Sequence, residues 1–387
     1  MTVSAPAATK TSTRPRLFTP GPVEIPDRIL RALSQIPPHH RTDVFRATYK
    51  QVSEDLKWLH ETQGEVLMLA ASGSGAMEAC VVNLFAPGEK ALVLIGGKFG
   101  ERWGSICKAY GVPFESITVE WGHAIDPAEV ERKLAADPAI TTVLGTHSET
   151  STATLHPVEA IAKVTRARNK RFVVDAITGV GVHPLPQDAW GVDVVVTGSQ
   201  KGLMSPPGLA TVSLAPWALD AIEGDKLPRF YWDLRKARKS LPAGESAYTP
   251  PVSLIFAVGE ALKMMKEEGL ANVHRRHKRL GAATRAGAIA LGFAIFSKSP
   301  ADSVTALLPP AGVDGSGLVK RLREVHGITV AGGQDHMKGK MIRIGHMGAY
   351  DLSDIYVMLG ALEECVNAAG VRAAGAMEAA RGAWESA

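Results

Sequence analysis

Apolar residues in this chain fall in short, regularly spaced runs. β-Rich runs occur at "EVLMLA" (65–70), "KALVLIG" (90–96), "FESITVE" (114–120), "TTVLGTH" (141–147), "RFVVDA" (171–176), "DVVVTGS" (193–199) and "LATVSL" (209–214). Several are nearly continuous apolar runs, the pattern of strands buried on both faces. Between most of them lie stretches with helical spacing: "AMEACVVNLF" (76–85), "ERWGSICKAYG" (101–111), "DPAEVERKLAAD" (126–137) and "PVEAIAKVTRARN" (157–169). Strands alternating with helices predict an α/β fold, with a mostly parallel seven-stranded sheet between helices.

After "YTPPVSLI" (248–255) the texture changes. One long helical pattern runs from about 252 to 290, and "FAIFS", "SVTALLP", "ITVAGG" and "MIRIGHM" then alternate with helix-like stretches before a helix-rich tail. This predicts a second, smaller α+β domain joined to the first by a long helix. The expected division is an N-terminal arm (1–18), a large domain (19–260) and a small C-terminal domain (261–387).

Composition narrows the class without changing this outline. Of 387 residues, 45% are hydrophobic and 21% charged, ordinary values for a soluble globular chain. No apolar run approaches the roughly 20 residues needed to span a bilayer. The first residues, "MTVSAPAATKTSTRPRLF", are polar, lack the apolar core of a secretory signal and read as a mobile arm. The net charge of +4 is too small to argue for nucleic acid, and the densest basic stretch, "RFYWDLRKARKS" (229–240), reads as a helix face or subunit contact. Cys80, Cys107 and Cys365 are far apart, without CxxC spacing, which predicts reduced thiols in a cytoplasmic protein. His39–His40 and His274–His277 have no acidic or thiol partners at ligand spacing, so no metal is expected. His147, ending a strand, reads as a satisfied core or rim histidine in preference to a proton shuttle.

In open α/β sheets, reactive groups collect just beyond the carboxyl ends of the strands. Here "EVLMLA" is followed by "ASGSG", "KALVLIG" by "GKFGERW" and "TTVLGTH" by "SETSTA"; "RFVV" leads into Asp175, and "DVVVTG" into "SQK" with Lys201. Two glycines and two serines ahead of an amphipathic helix can hold a phosphate on backbone N–H groups, although such a turn also serves purely mechanical ends. The motif is neither GxxxxGK[ST] nor a proper GxGxxG, and a single phosphate on a small cofactor fits it better. Asp175 either caps a helix or bridges to a loop cation, or it partners a protonated ring nitrogen. Phe99 is either a core aromatic or a plate against a flat ring. Together with an amine at Lys201, these are the parts needed to hold pyridoxal 5′-phosphate, with the lysine forming a Schiff base.

At this point the sequence resembles a known family, the class V pyridoxal-phosphate aminotransferases of fold type I, particularly the alanine/serine–glyoxylate group. The likeness runs through "FTPGPVEIPDRI" (18–29), "HHRTDVF" (39–45), "SGSGAMEA", "KFGERW", "THSETSTA", "VVDAITGVG", "TGSQKGLMSPPG", "YTPPVSL" and "MIRIGHMG" (341–348). The resemblance implies that Lys201 binds the cofactor's aldehyde carbon, Asp175 pairs with the ring nitrogen, and Phe99 and Ile177 flank the ring. It implies that Ser72, Gly73 and Ser74, helped by Gln200, cradle the phosphate and that Thr150 bonds the phenolic edge. Tyr248 and Thr249 would belong to the cofactor site, Thr249 reaching the neighbouring subunit's phosphate and making the enzyme a homodimer with shared sites. Arg343 would grip the substrate carboxylate, a task suited to a guanidinium fork, and the Pro20–Glu24 loop, with Pro20 and Gly21, would border the substrate.

The implied activity is transamination from a small L-amino acid, alanine or serine, to a small 2-oxo acid, glyoxylate or pyruvate. An aspartate-type aminotransferase, or a subunit of a larger complex of the soluble-hydrogenase kind, is the alternative. Thr150 and Ala153 stand where relatives commonly have serine and glycine, and "HHRTDVF" departs from the more usual HRSxEF; both departures bear on the amino-acid preference. A cysteine desulfurase is disfavoured because Gln200, and not histidine, precedes the lysine.

Overall fold

The computed structural model describes residues 14–387. Its main sheet has seven strands: β1 (Glu65–Leu69), β2 (Lys90–Ile95), β3 (Phe114–Thr118), β4 (Ile140–Thr146), β5 (Arg171–Asp175), β6 (Val194–Gly198) and β7 (Ala210–Leu214). Their order across the sheet is β1-β7-β6-β5-β4-β2-β3. All neighbours run parallel except β7, which is antiparallel to both β1 and β6. The central strands are buried on both faces, as their unbroken apolar runs predict. The edge strand β3 buries only Ile117, which explains why "FESIT" carries polar residues.

Side chains alternate strictly between two cores. Leu92, Leu94, Val143, Val174 and Val195 join one with the helices Asp43–His60, Val158–Ala167 and Val252–Glu268. Ala91, Val93, Leu144, Val173, Val194 and Val196 join the other with the helices Gly73–Leu84 and Lys98–Ala109. This is the sandwich expected from the sequence.

A second, antiparallel sheet has strands β8 (Ala294–Ile295), β9 (Val304–Leu308), β10 (Ala331–Gly332) and β11 (Ile342–Gly345), in the order β8-β9-β11-β10. Ile342 and Ile344 of β11 are fully buried against helices Leu270–Ala290, Gly315–His326 and Leu352–Ala368, which leaves Arg343 on the opposite face.

The long helix expected over 252–290 is two helices, Val252–Glu268 and Leu270–Ala290. Gly269 separates them with φ 85° and ψ 131°, a backbone state that favours glycine and that apolar spacing does not register. The boundary expected after residue 260 lies inside the first helix, whose Ala261, Leu262 and Met265 pack in the core of the seven-stranded sheet. Of the expected arm (1–18), residues 1–13 lie outside the described residues. Arg16–Leu17 pairs in parallel with Ile328–Thr329, and Phe18 is fully buried, its ring stacked on Tyr350 at 5.1 Å. Among the described residues, no helix is long and apolar enough to cross a membrane.

Candidate active site

Lys201 sits in the short loop between β6 and β7, which is tied across its base. Ser199 N–H donates to Leu209 O (2.9 Å), Ser205 N–H donates to Ser199 O (2.9 Å), and the Ser199 hydroxyl donates to Pro206 O (2.6 Å). The lysine side chain is buried and its amine donates to the carbonyl of Pro20. The neighbouring Gly21 has φ 122°, and a Cβ there would lie 2.5 Å from Lys201 Cε. Glycine is therefore needed where the N-terminal segment passes over the amine. Burial lowers the Lys201 pKa to about 8; Asp175 opposes this shift, while the positive charges of Arg343 and Arg102 add to it.

Asp175 ends β5, also buried, with one carboxylate oxygen accepting from Ile177 N–H (2.9 Å). Burial raises its pKa to about 7; the Ile177 bond opposes this, the Glu149 charge adds to it, and Arg102 and Lys201 oppose it. Among the described residues no cation is bonded to Asp175, which leaves a buried carboxylate in want of a cationic partner.

The glycine-rich turn opens helix Gly73–Leu84 with Ser72 at the N-cap, and no side chain there bonds the first N–H groups. These donors are therefore open to an anion. A Cβ on Gly73 would come within 2.2 Å of Ile177 Cδ1, so glycine lets the turn and Ile177 pack together. Gln200 lies beside this turn: a Cβ on Gly198 would be 3.0 Å from its Oε1 and 3.7 Å from Gly73 N. That amide oxygen is buried without a hydrogen-bond partner.

Phe99 lies in the first turn of helix Lys98–Ala109, with the Arg102 guanidinium 4.7 Å from its ring centroid. Arg102 also donates to the Ser74 hydroxyl (2.8 Å), joining the aromatic to the glycine turn. Thr150 shares a hydrogen bond with Thr178 (2.7 Å between hydroxyl oxygens). Its carbonyl accepts from Arg343 Nη1 (2.9 Å), while Arg343 Nε donates to Gly332 O (3.0 Å). Burial lowers the Arg343 pKa to about 10, against the favourable charge of Glu149.

The residues singled out in the sequence thus form one neighbourhood, with two exceptions. Tyr248 and Thr249 line a separate cleft with Tyr231, Asp233 and Ser246. There the Tyr248 ring stacks on Tyr231 at 4.8 Å and its hydroxyl donates to Phe230 O (2.8 Å), while Thr249 is exposed. Arg102, Glu149 and Thr178 belong to the neighbourhood and were not singled out. The spacing of Phe99 and Arg102 along a helix was the available signal for the first.

Other candidates lie elsewhere. His147 is buried at the edge of His183 (5.6 Å between rings), and its Nδ1 has no hydrogen-bond partner among the described residues, so the satisfied core or rim histidine expected from the sequence is buried but not fully satisfied. His326, Glu364 and Cys365 approach one another, but Arg321 occupies Glu364 and burial pushes the Cys365 thiol up to about 12. In the basic stretch, Arg235 pairs with Asp233 and Arg238 with Glu65, while Lys236 lies over the Phe230 ring.

Pyridoxal 5′-phosphate fits this chemistry on four observations. They are an uncapped helix N-terminus, an unpartnered Gln200 oxygen beside it, a buried carboxylate without a bonded cation, and a buried amine with a lowered pKa.

The aminotransferase class-V family profile matches residues 24–355. The chain is 42% identical to the "Soluble hydrogenase, small subunit" of Synechococcus sp., over 90% of this chain and 91% of the relative. It is 37% identical to the serine–glyoxylate aminotransferase of Methylorubrum extorquens, over 92% of this chain and 91% of that one. Among solved structures, an aspartate aminotransferase of subgroup IV from Thermus thermophilus superposes with a TM-score of 0.86 at 34% identity, covering 91% of this chain and 99% of the other. Fold, profile and relatives agree: the chain belongs to the class V aminotransferases, pyridoxal-phosphate-dependent transferases of fold type I.

Proposed function

We propose that this enzyme moves the amino group of a small L-amino acid, alanine or serine first and aspartate next, to glyoxylate or pyruvate. The observation that carries the reading is the approach of Arg343 to the Lys201 rim. Two carbonyls fix its Nε and Nη1, and its charge lowers the lysine's pKa. A fixed guanidinium beside a reactive amine suits a substrate that carries a carboxylate next to its amino carbon.

Bound pyridoxal phosphate supplies an electron sink for the pair left when the substrate's Cα proton departs. This chain's residues do the rest. Lys201, neutral above about pH 8, carries the cofactor and then takes and returns the Cα proton. Asp175 keeps the ring nitrogen protonated, and that cation in turn holds the carboxylate ionised. Phe99 and Ile177 flank the ring, Ser72, Gly73, Ser74 and Gln200 take the phosphate, and Thr150 takes the phenolic edge. Pro20 and Gly21 border the substrate. Tyr248 and Thr249, away from Lys201 in this subunit, serve the partner's cofactor in a homodimer.

The test is a half-reaction. L-Alanine should bleach the visible band of the cofactor-loaded protein, and glyoxylate or pyruvate should restore it. Lys201→Ala should lack that band and lose nearly all turnover; normal turnover in that variant would sink the assignment. The passive-subunit alternative, suggested by the hydrogenase relative's name, requires that no amino acid bleach the wild type.

A further inference from the structure

Glu149 is fully buried, one residue from Thr150, and its carboxylate accepts from four donors. Phe99 N–H and Gly100 N–H donate to one oxygen (3.1 Å each), and Ser151 N–H (3.1 Å) and the Ser151 hydroxyl (2.6 Å) donate to the other. The Ser151 hydroxyl oxygen accepts in turn from Lys98 N–H (3.0 Å). The first three N–H groups of helix Lys98–Ala109 are thus satisfied by Glu149 and Ser151. Gly97, at the N-cap, has no side chain for the task, and a Cβ there would lie 2.3 Å from Ser151 Oγ and 2.7 Å from Glu149 Cδ.

All four contacts are donors, so the group accepts them as a carboxylate, held against the positive end of the helix despite the upward push of burial on its pKa. On its C-terminal side, the Thr150 carbonyl holds Arg343 and the Thr150 hydroxyl meets Thr178, next to Ile177. Three consecutive residues therefore touch the helix end that carries Phe99, the strand that carries Arg343 and the turn that carries Ile177.

We propose that Glu149 is a positioning residue that couples the cofactor's aromatic plate to the substrate's carboxylate clamp. Its four bonds fix segment 149–151, and that segment sets both the placement of Phe99 and the carbonyl against which Arg343 rests. This rests on the aminotransferase reading above, with Phe99 as the plate and Arg343 as the clamp.

Glu149→Gln keeps the shape but turns an NH2 group towards at least one backbone N–H, whichever way the amide lies: towards Phe99 and Gly100 in one orientation, towards Ser151 in the other. In the cofactor-loaded enzyme, the cofactor Kd and the KM for L-alanine should both rise about tenfold, as expected for lost charge-assisted bonds. kcat should change less, and the absorption maximum of bound cofactor should shift. A merely structural role would lower the melting temperature and move neither constant, and a folded variant of that kind overturns the proposal. Should Glu149→Gln fail to fold, Ser151→Ala keeps the charge and removes one donor and the relay to Lys98. Kd and KM should then rise together by about threefold, and unchanged constants overturn the proposal equally. Failure of the underlying reading shows separately, as a wild type that does not bleach with L-alanine or that reacts as well with ethylamine.

Discussion

At the scale of single residues, the charges around Lys201 make a signed prediction. Arg102 is one of two cations that lower the amine's pKa, so Arg102→Met should raise it above about 8. The pH midpoint for uptake of pyridoxal phosphate by the cofactor-free protein should then move upward, because only the neutral amine attacks; an unmoved midpoint would show that Arg102 acts on Phe99 and Ser74 alone. Arg343→Lys should lower kcat/KM for alanine at least tenfold, little better than Arg343→Ala, since bonds of a charged group to a carboxylate contribute about 1.5–3 kcal/mol each. The carbonyls of Gly332 and Thr150 are met by two separate nitrogens of the guanidinium, Nε and Nη1, an arrangement that a single ammonium nitrogen does not reproduce. Near-normal efficiency in the lysine variant would remove Arg343 from the site. Lys201 and Asp175 were legible in the sequence because each follows an apolar strand, where a charge demands a reason. Arg102 and Glu149 were not, since a basic residue in an amphipathic helix and an acid among hydroxyls look solvated. Their partners lie 28 residues away for Ser74 and 50 for Phe99, separations closed only by the fold.

At the scale of elements, the glycine turn and the loop after β5 behave as one unit. Gly73→Ala would drive a methyl group into Ile177, the nearest atom lying 2.2 Å away. Cofactor Kd should rise at least tenfold, in line with the few kcal/mol that overpacking costs. Adding Ile177→Ala should recover part of the loss, so that the double variant is better than the two single effects combined predict. Strict additivity in a titration of the cofactor would show that the two residues do not share the space. The seven strands were legible to within a residue or two, because six of them are short, largely apolar runs rich in β-branched residues or leucine, and the edge strand β3 stands out by its place in the alternation with helices. The break at Gly269 was not, because apolar spacing resumes after it and only the backbone angle changes.

At the scale of the whole molecule, the buried histidines link stability to pH. His60 is buried, neither ring nitrogen has a partner, and burial alone lowers its pKa to about 4. The unfolded chain takes up this proton near pH 6.5 and the folded one near 4, so its contribution to stability is complete above 6.5 and is lost as the pH falls towards 4. The slope is roughly 1.4 kcal/mol per pH unit. His60→Leu, similar in volume, should be more stable than wild type at neutral pH, and its advantage in melting temperature should widen between pH 6.5 and 4. A difference independent of pH would show that the ring is solvated or already charged. The order of the strands was invisible in the sequence, because several strand orders satisfy the same alternation.

The reversal of β7 has a mechanical consequence. A lysine on a crossover into a helix could travel with that helix, whereas this one stands on a laced loop between two hydrogen-bonded strands, which ties its backbone to the sheet. Fine adjustment of the amine against the β11 strand bearing Arg343 and the Pro20–Gly21 segment beside it is therefore left to the torsions of one side chain, while the backbone that carries it stays in register with the sheet.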